Sequence, residues 1–310
     1  MAREKKYLFG PVASRRLGLS LGIDIVPFKI CSQDCIYCEL GLTTEKSIER
    51  KDYAPIEDIL AELKERLAEG LSVDFITITG SGEPTLNSRL GELVEKIKKI
   101  TKIPVAILTN GTLFYRQDVR ADCAKADVVV PSLDAGEKSV FEKINRPHPD
   151  INIEKLILGL CSFRDEYRGQ IWLEVFLVEG VNTGVEQIAE IKDAIKRIRP
   201  DKIQLNTAVR PTAEPGIERV KPERLADIAK ELGENCEVVA DFSAAGRHKK
   251  AQSKAEYVLS ILKRRPCSIE DICSGLGISR EETQKYIVQF EQQGVIDSEI
   301  KNGIIFFKSR

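Results

Sequence analysis

The 310-residue chain predicts an α/β protein: a partial (β/α)6 barrel followed by a small C-terminal domain. Three observations predict this. Segments with β-branched alternation and segments with a helical apolar period take turns along residues 19–232, the order that builds a parallel sheet with crossover helices. Glycine and polar side chains gather just after the predicted strands, the edge where α/β proteins bind ligands. Near residue 250 the pattern changes to short helices and a hairpin. An open doubly wound sheet is the alternative arrangement of the same units.

Residues 19–26, Leu-Ser-Leu-Gly-Ile-Asp-Ile-Val, alternate as a strand that Pro27 ends. Ile56, Ile59, Leu60, Leu63 and Leu67 set a helix over 55–69, stopped by Gly70. A strand over 73–79 runs into Gly80-Ser81-Gly82-Glu83-Pro84. A helix over 88–100, a strand over 104–109 ending at Asn110-Gly111, and a helix over 114–125 follow. A strand over 127–131 leads to Ser132-Leu133-Asp134. Helices over 138–144 and 152–166, a strand over 170–178, a helix over 184–198 and a strand over 202–206 complete six units. A helix over 222–232 and a last strand over 237–242 precede a polar link at 246–250. These units make one domain, residues 1–248, and residues 251–310 make the second. In the second, helices over 256–263, 268–274 and 279–293 precede a hairpin turning at Asn302-Gly303. Ser279 and Glu282 have capping-box spacing.

Composition is that of an ordinary globular protein with a net charge of −1. No apolar run reaches the ~18 residues of a membrane span. The charged N-terminus lacks the apolar stretch of a signal peptide. The cytoplasm is therefore expected, where thiols stay reduced. Residues 1–30 carry six basic residues against two acidic ones, a segment able to meet a polyanion or simply to face solvent.

Of eight cysteines, Cys31, Cys35 and Cys38 stand in a C-x3-C-x2-C run. Zinc sites want four ligands, and no fourth Cys or His is near. A cubane cluster on three thiolates leaves one iron open to a small molecule. Three packed thiols or a zinc knuckle are the plain alternatives. Cys123, Cys161, Cys236, Cys267 and Cys273 are scattered and form no second-cluster motif, though a fold could gather some of them into an auxiliary site; Cys123 and Cys161 lie in helical segments and suit core positions.

With Tyr37 as the aromatic before its last cysteine, this run resembles the signature of the radical S-adenosylmethionine (SAM) superfamily. The resemblance implies a partial (β/α)6 barrel and a [4Fe–4S] cluster on Cys31, Cys35 and Cys38. It implies that SAM binds the open iron and is split to a 5′-deoxyadenosyl radical that takes hydrogen from a substrate. A reductant such as flavodoxin or ferredoxin would supply the electron. Gly82-Glu83-Pro84 matches the motif that contacts the SAM amino group. Asn110, Ser132, Asp134, Glu174 and Asn206 follow or lie in later strands and complete the cofactor-binding set. A carboxylate inside a strand, as at Glu174, is costly without a partner. His148 and Arg210 are further polar candidates, Arg210 for a substrate anion. No catalytic residue is assigned.

The N-terminal stretch from Phe9 to Gly22 is similar to proteins filed beside the tRNA wyosine synthases. Those synthases carry three further upstream cysteines, whereas none precedes Cys31 here. The resemblance does not fix a substrate; among candidates tRNA or other RNA ranks first and a protein, including a glycyl-radical enzyme, second. Helices followed by a hairpin in 251–310 resemble a winged helix. That segment carries nine basic residues against eight acidic ones, with Glu281 and Glu282 opening the would-be recognition helix, so it lacks the basic face of a nucleic-acid reader. The rival class is a non-enzymatic iron–sulfur redox regulator that reads nucleic acid through this segment.

Overall fold

The computed structural model describes residues 7–239, 254–263, 265–276 and 278–310. Leu8–Ser14 (β1) and Gly18–Asp24 (β2) form an antiparallel hairpin. Ile30–Cys31 (β3) and Glu45–Lys46 (β4) pair as a two-residue clip at the base of the cysteine loop. Ile56–Ala68 (α1), Phe75–Thr79 (β5), Leu90–Ile100 (α2), Val105–Thr109 (β6), Gln117–Cys123 (α3) and Val128–Pro131 (β7) follow. Then come Lys138–Asn145 (α4), Ile153–Glu166 (α5), Gln170–Leu177 (β8), Val185–Ile198 (α6), Lys202–Thr207 (β9), Pro222–Leu232 (α7) and Cys236–Val238 (β10).

The main sheet runs β1-β2-β5-β6-β7-β8-β9-β10, and every pair from β2 onward is parallel. Strands succeed one another in chain order. A doubly wound sheet needs a point where that order reverses, so that alternative falls. The result is an α/β fold with a mostly parallel sheet.

Both sheet faces are apolar, as a covered parallel sheet requires. Alternation in β6 divides them: Val105 and Ile107 join the large core under the helices, and Ala106 and Leu108 join a smaller cluster with Leu17, Val128, Val130 and Trp172. The helices supply one face each; α1 buries Ile56, Ile59, Leu60 and Leu63.

Several expected boundaries move. Strand β1 precedes the first expected strand; Gly10 and Pro11, residues more usual in turns, sit inside it. The helix expected over 114–125 shrinks to α3. The strand expected over 237–242 is β10; its residues 240–242 and the link 246–250 lie outside the described residues.

Lys254–Leu262 (α8), Ile269–Leu276 (α9), Arg280–Gln292 (α10), Ile296–Lys301 (β11) and Ile304–Ser309 (β12) form the C-terminal segment. Val258, Ile272, Ile287, Phe290 and Phe307 share its own apolar cluster, onto which Val12 of β1 packs. Ser279 Oγ accepts the Glu282 N–H at 3.1 Å. Asn302 and Gly303 both have positive φ, 51° and 76°, as the hairpin turn requires. The segment is tied to the sheet domain by Arg210 Nε to Asp271 at 3.4 Å and by Lys301 Nζ donating to the Arg210 carbonyl at 2.9 Å.

Candidate active site

The cysteine loop leaves β3 and rests on the end of α4. Asp34 N–H donates to the Asn145 carbonyl and Ile36 N–H to the Ile144 carbonyl, both at 3.0 Å. Asp34 Oδ1 accepts the Thr43 N–H at 2.7 Å and closes the loop on itself. Each sulfur then meets one nitrogen donor. Asn110 Nδ2 lies 3.5 Å from Cys31 Sγ, Asn145 Nδ2 3.4 Å from Cys35 Sγ, and Lys29 Nζ 3.1 Å from Cys38 Sγ. Burial pushes the Cys31 thiol up to about 12, with Glu83 adding to the rise, and pushes Cys35 well up, with Asp134 adding. Such thiols ionise when a metal's positive charge balances them.

Among the described residues, no group of three or more His, Cys, Asp or Glu converges on a single metal ion. In a cubane each thiolate ligates a different iron, so the sulfurs occupy separate corners. The three thiols still act on one another electrostatically. Three thiolates with one donor each are a donor set that fits a cluster.

Beside the loop lies Gly80-Ser81-Gly82-Glu83-Pro84. Gly82 faces the Ile30 backbone so closely that a Cβ would overlap the Ile30 carbonyl. Glu83 N–H donates to that same carbonyl at 3.0 Å, and Lys29 N–H donates to the Ser81 carbonyl at 2.6 Å. Glu83 itself is buried and fully engaged. Its Oε1 accepts from Thr85 N–H, Thr85 Oγ1 and Thr109 Oγ1 at 2.6–3.0 Å, and its Oε2 from Asn110 N–H at 2.8 Å. Pro84 opens the short helical turn that Glu83 caps. Asn110 also donates to Ser32 Oγ at 2.9 Å and accepts from Thr112 N–H at 3.0 Å.

Asp134 is likewise a brace. Its Oδ2 accepts from Tyr37 OH and from Asn145 Nδ2, the latter at 2.7 Å, and its Oδ1 accepts the Phe176 N–H at 2.9 Å. Ser132 bridges to Glu174 across the β7–β8 edge; its hydroxyl makes no hydrogen bond among the described residues. Glu174 pairs with Arg16 and accepts Asn206 Nδ2 at 2.9 Å. Asn206 Oδ1 accepts Arg15 Nη1 at 3.1 Å.

The structure thus gathers Glu83 and Asn110 around Cys31, Asp134 near Cys35, and Glu174 with Asn206 farther along the rim. Arg210 is buried, its guanidinium bound to Glu39 at 3.1 Å and to Asp271. His148 N–H donates to the Ser32 carbonyl at 2.8 Å, and its ring turns back to Asp150 N–H. Sequence reasoning missed Lys29, Asn145, Arg15 and Arg16. For the two arginines the adjacent basic pair between alternating strands was the available signal; Asn145 and Lys29 carried none.

The chain belongs to the radical SAM superfamily: the model of that family matches residues 25–191, more than half of the sequence. Enzymes of this superfamily bind a [4Fe–4S] cluster and SAM, so the protein is a radical SAM enzyme, and the regulator alternative falls. Within the superfamily it is similar to the UPF0026 proteins. It is 38% identical to that of Methanocaldococcus jannaschii, over 72% of this chain and 69% of the other. It is 35% identical to that of Helicobacter pylori strain J99, over 87% and 88%. It is also 37% identical to a Brachyspira hyodysenteriae protein named GTPase Obg, over 97% of this chain but spanning 45% of that protein's length. In fold it matches TYW1 with a lysine–pyruvate adduct bound, at TM-score 0.56 and 18% identity over 72% of this chain and 75% of TYW1. It matches Streptococcus suis SuiB bound to SAM at TM-score 0.52 and 19% identity, over 78% and 56%.

Proposed function

We propose that Cys31, Cys35 and Cys38 hold the cluster and that SAM lies between the cysteine loop and the Gly82 loop. The observation that carries this is the direct seating of Gly82 and Glu83 on Ile30, one residue before Cys31. When bound, cluster and SAM supply a 5′-deoxyadenosyl radical that takes a hydrogen atom from the substrate, the electron coming from a flavodoxin- or ferredoxin-like reductant. The chain's own part is positioning. Lys29, Asn110 and Asn145 offer N–H groups to the thiolates, which sets potential as well as geometry. The Gly82 carbonyl, which takes no hydrogen bond among the described residues, is an acceptor for the SAM ammonium. Glu83 and Asp134 hold the loops in place rather than reach the ligand, and Ser132 keeps a hydroxyl for it.

We read the consecutive parallel run β2–β9 as a partial (β/α)6 barrel, and residues 251–310 as a separate winged-helix domain after a first domain of 1–248; the two apolar clusters support that division. No helix among the described residues is long and apolar enough to cross a membrane, and the cytoplasm suits reduced thiols. RNA ranks first among macromolecular substrates and a protein second, and the resemblance of residues 9–22 to the wyosine-synthase neighbours does not fix the choice. The geometry adds nothing to either. Glu281 and Glu282 open α10 and repel phosphate, and Lys301 is turned onto the Arg210 carbonyl.

The test is anaerobic reconstitution to about four irons per chain, followed by dithionite and SAM. Formation of 5′-deoxyadenosine is expected. A full cluster that yields none ends the reading.

A further inference from the structure

A cavity of about 240 Å³ opens beside the Gly80–Ser81 turn, between the β1–β2 hairpin, the inner sheet face and the C-terminal segment. Its floor is apolar and hydroxylated: Leu17, Leu108, Ser20, Thr77 and Thr79 line it. Its charged lining is one-sided. Among the described residues that line it, Arg15, Arg16 and Arg265 stand with one carboxylate, Glu39, and Glu39 is already bound by Arg210 through two contacts of 3.1 and 3.3 Å. Arg16 is held by Glu174, yet its Nε is buried without an acceptor among the described residues. Arg265 makes no ion pair among the described residues. Burial and then the charges of Arg210, Arg16 and Arg265 bring Arg15 down to about 9, Glu39 working the other way. Guanidinium groups crowded in this way around a partly apolar space are arranged for a planar or tetrahedral oxyanion, which they bind in forked geometry.

We propose that this cavity is the substrate site and that it selects a small molecule carrying a phosphate or carboxylate group, held by Arg15 and Arg16 from the hairpin and Arg265 from the C-terminal segment. The proposal rests on the radical SAM reading, since the cavity adjoins the loop where SAM is placed, and it puts a small molecule in place of the RNA or protein substrate. It gives the C-terminal segment a role: Ile261 and Arg265 form one wall, so that segment completes the pocket and the barrel does not bind substrate alone. The size suits one small anion-bearing molecule better than a stretch of polymer.

The test is equilibrium dialysis of the reconstituted protein, saturated with SAM, against labelled inorganic phosphate and, in a parallel arm, labelled malonate. Saturable binding of one equivalent of either is expected, and the arm that binds tells phosphate from carboxylate. Arg265→Gln and Arg15→Gln should each weaken it tenfold or more, while Lys138→Gln, on the exposed face of α4, should not. Circular dichroism checks that each variant is folded, and Arg265→Gln, at a half-buried position, serves if Arg15→Gln does not fold. Absence of binding in both arms overturns the proposal. So does binding that neither arginine substitution weakens, which would mark an adventitious ion only. Binding that is found only when SAM is left out of the dialysis would give the cavity to SAM instead. A 5′-phosphorylated oligoribonucleotide displacing the anion at far lower concentration would replace the small molecule by an RNA end. Whether the wild-type protein makes 5′-deoxyadenosine is read separately, so failure of the anion site and failure of the radical reading are distinct results.

Discussion

Tyr37 and Phe176 lie ring on ring, their centroids 3.8 Å apart and their planes 8° from parallel. The stack fixes the cysteine loop to β8, and the Tyr37 hydroxyl adds a bond to buried Asp134. Tyr37→Ala removes both and should cost about 3 kcal/mol of stability, with fewer irons retained per chain after reconstitution. Tyr37→Phe keeps the stack and should cost about 1 kcal/mol. Denaturant unfolding and iron analysis of both variants check this; equal losses would deny the stack its role.

Gly82→Ala forces a methyl group into the Ile30 carbonyl. Backbone stands on both sides, so neither can yield cheaply, and overpacking of this kind costs ~1–3 kcal/mol. We expect the Gly82 loop to move off β3 and the affinity for SAM to fall at least tenfold, measured by calorimetry on the reconstituted protein. Unchanged affinity would show that the seating is not needed.

Burial lifts the Asp134 carboxyl from its ordinary 3.8 to about 6, against hydrogen bonds from Tyr37, Asn145 and the Phe176 N–H. The folded value lies above the unfolded one, so the folded state holds this proton more tightly. The stability this gives is complete below the unfolded value and is lost as the pH rises through the folded one. Between pH 4 and pH 7, therefore, wild type should lose roughly 2 kcal/mol relative to Asp134→Asn. Urea unfolding of the metal-free proteins at both pH values measures the difference.

Arg210 and Asp271 are 1% and 9% exposed, and Asp271 also accepts the Ser268 N–H at 3.1 Å. Asp271→Asn leaves a buried guanidinium less compensated and should cost about 3 kcal/mol. A double-mutant cycle with Arg210→Met should give a coupling of about 1–3 kcal/mol. A coupling near zero would mean that the C-terminal segment docks without this pair.

Strand and helix succession was legible because residues such as Val105–Thr109 and Ile56–Ala68 carry clean periods of two and of 3.6. Strand β1 was not, since Gly10 and Pro11 sit inside it and both read locally as turn residues. The cysteine trio and Gly82-Glu83-Pro84 were visible as short motifs. What the motif residues do was less so. Glu83 is an acceptor whose four donors come from its own turn and the end of β6, and no local pattern tells a ligand carboxylate from a brace. A carboxylate inside a strand did announce that Glu174 needs a partner, but the partner, Arg16, is 158 residues away. Asn145 ends a helix with no motif around it, and its place beside Cys35 exists only after α4 docks.

The hairpin tip carries one further meaning. Arg15 meets Asn206 across 191 residues and Arg16 meets Glu174 across 158. During synthesis the tip leaves the ribosome first and must wait for β8 and β9 before either bond can close. A product cut short before those strands has its cysteines but leaves Arg15 without Asn206 and Arg16 without Glu174. Synthesis through Thr207 therefore precedes closure of the hairpin tip.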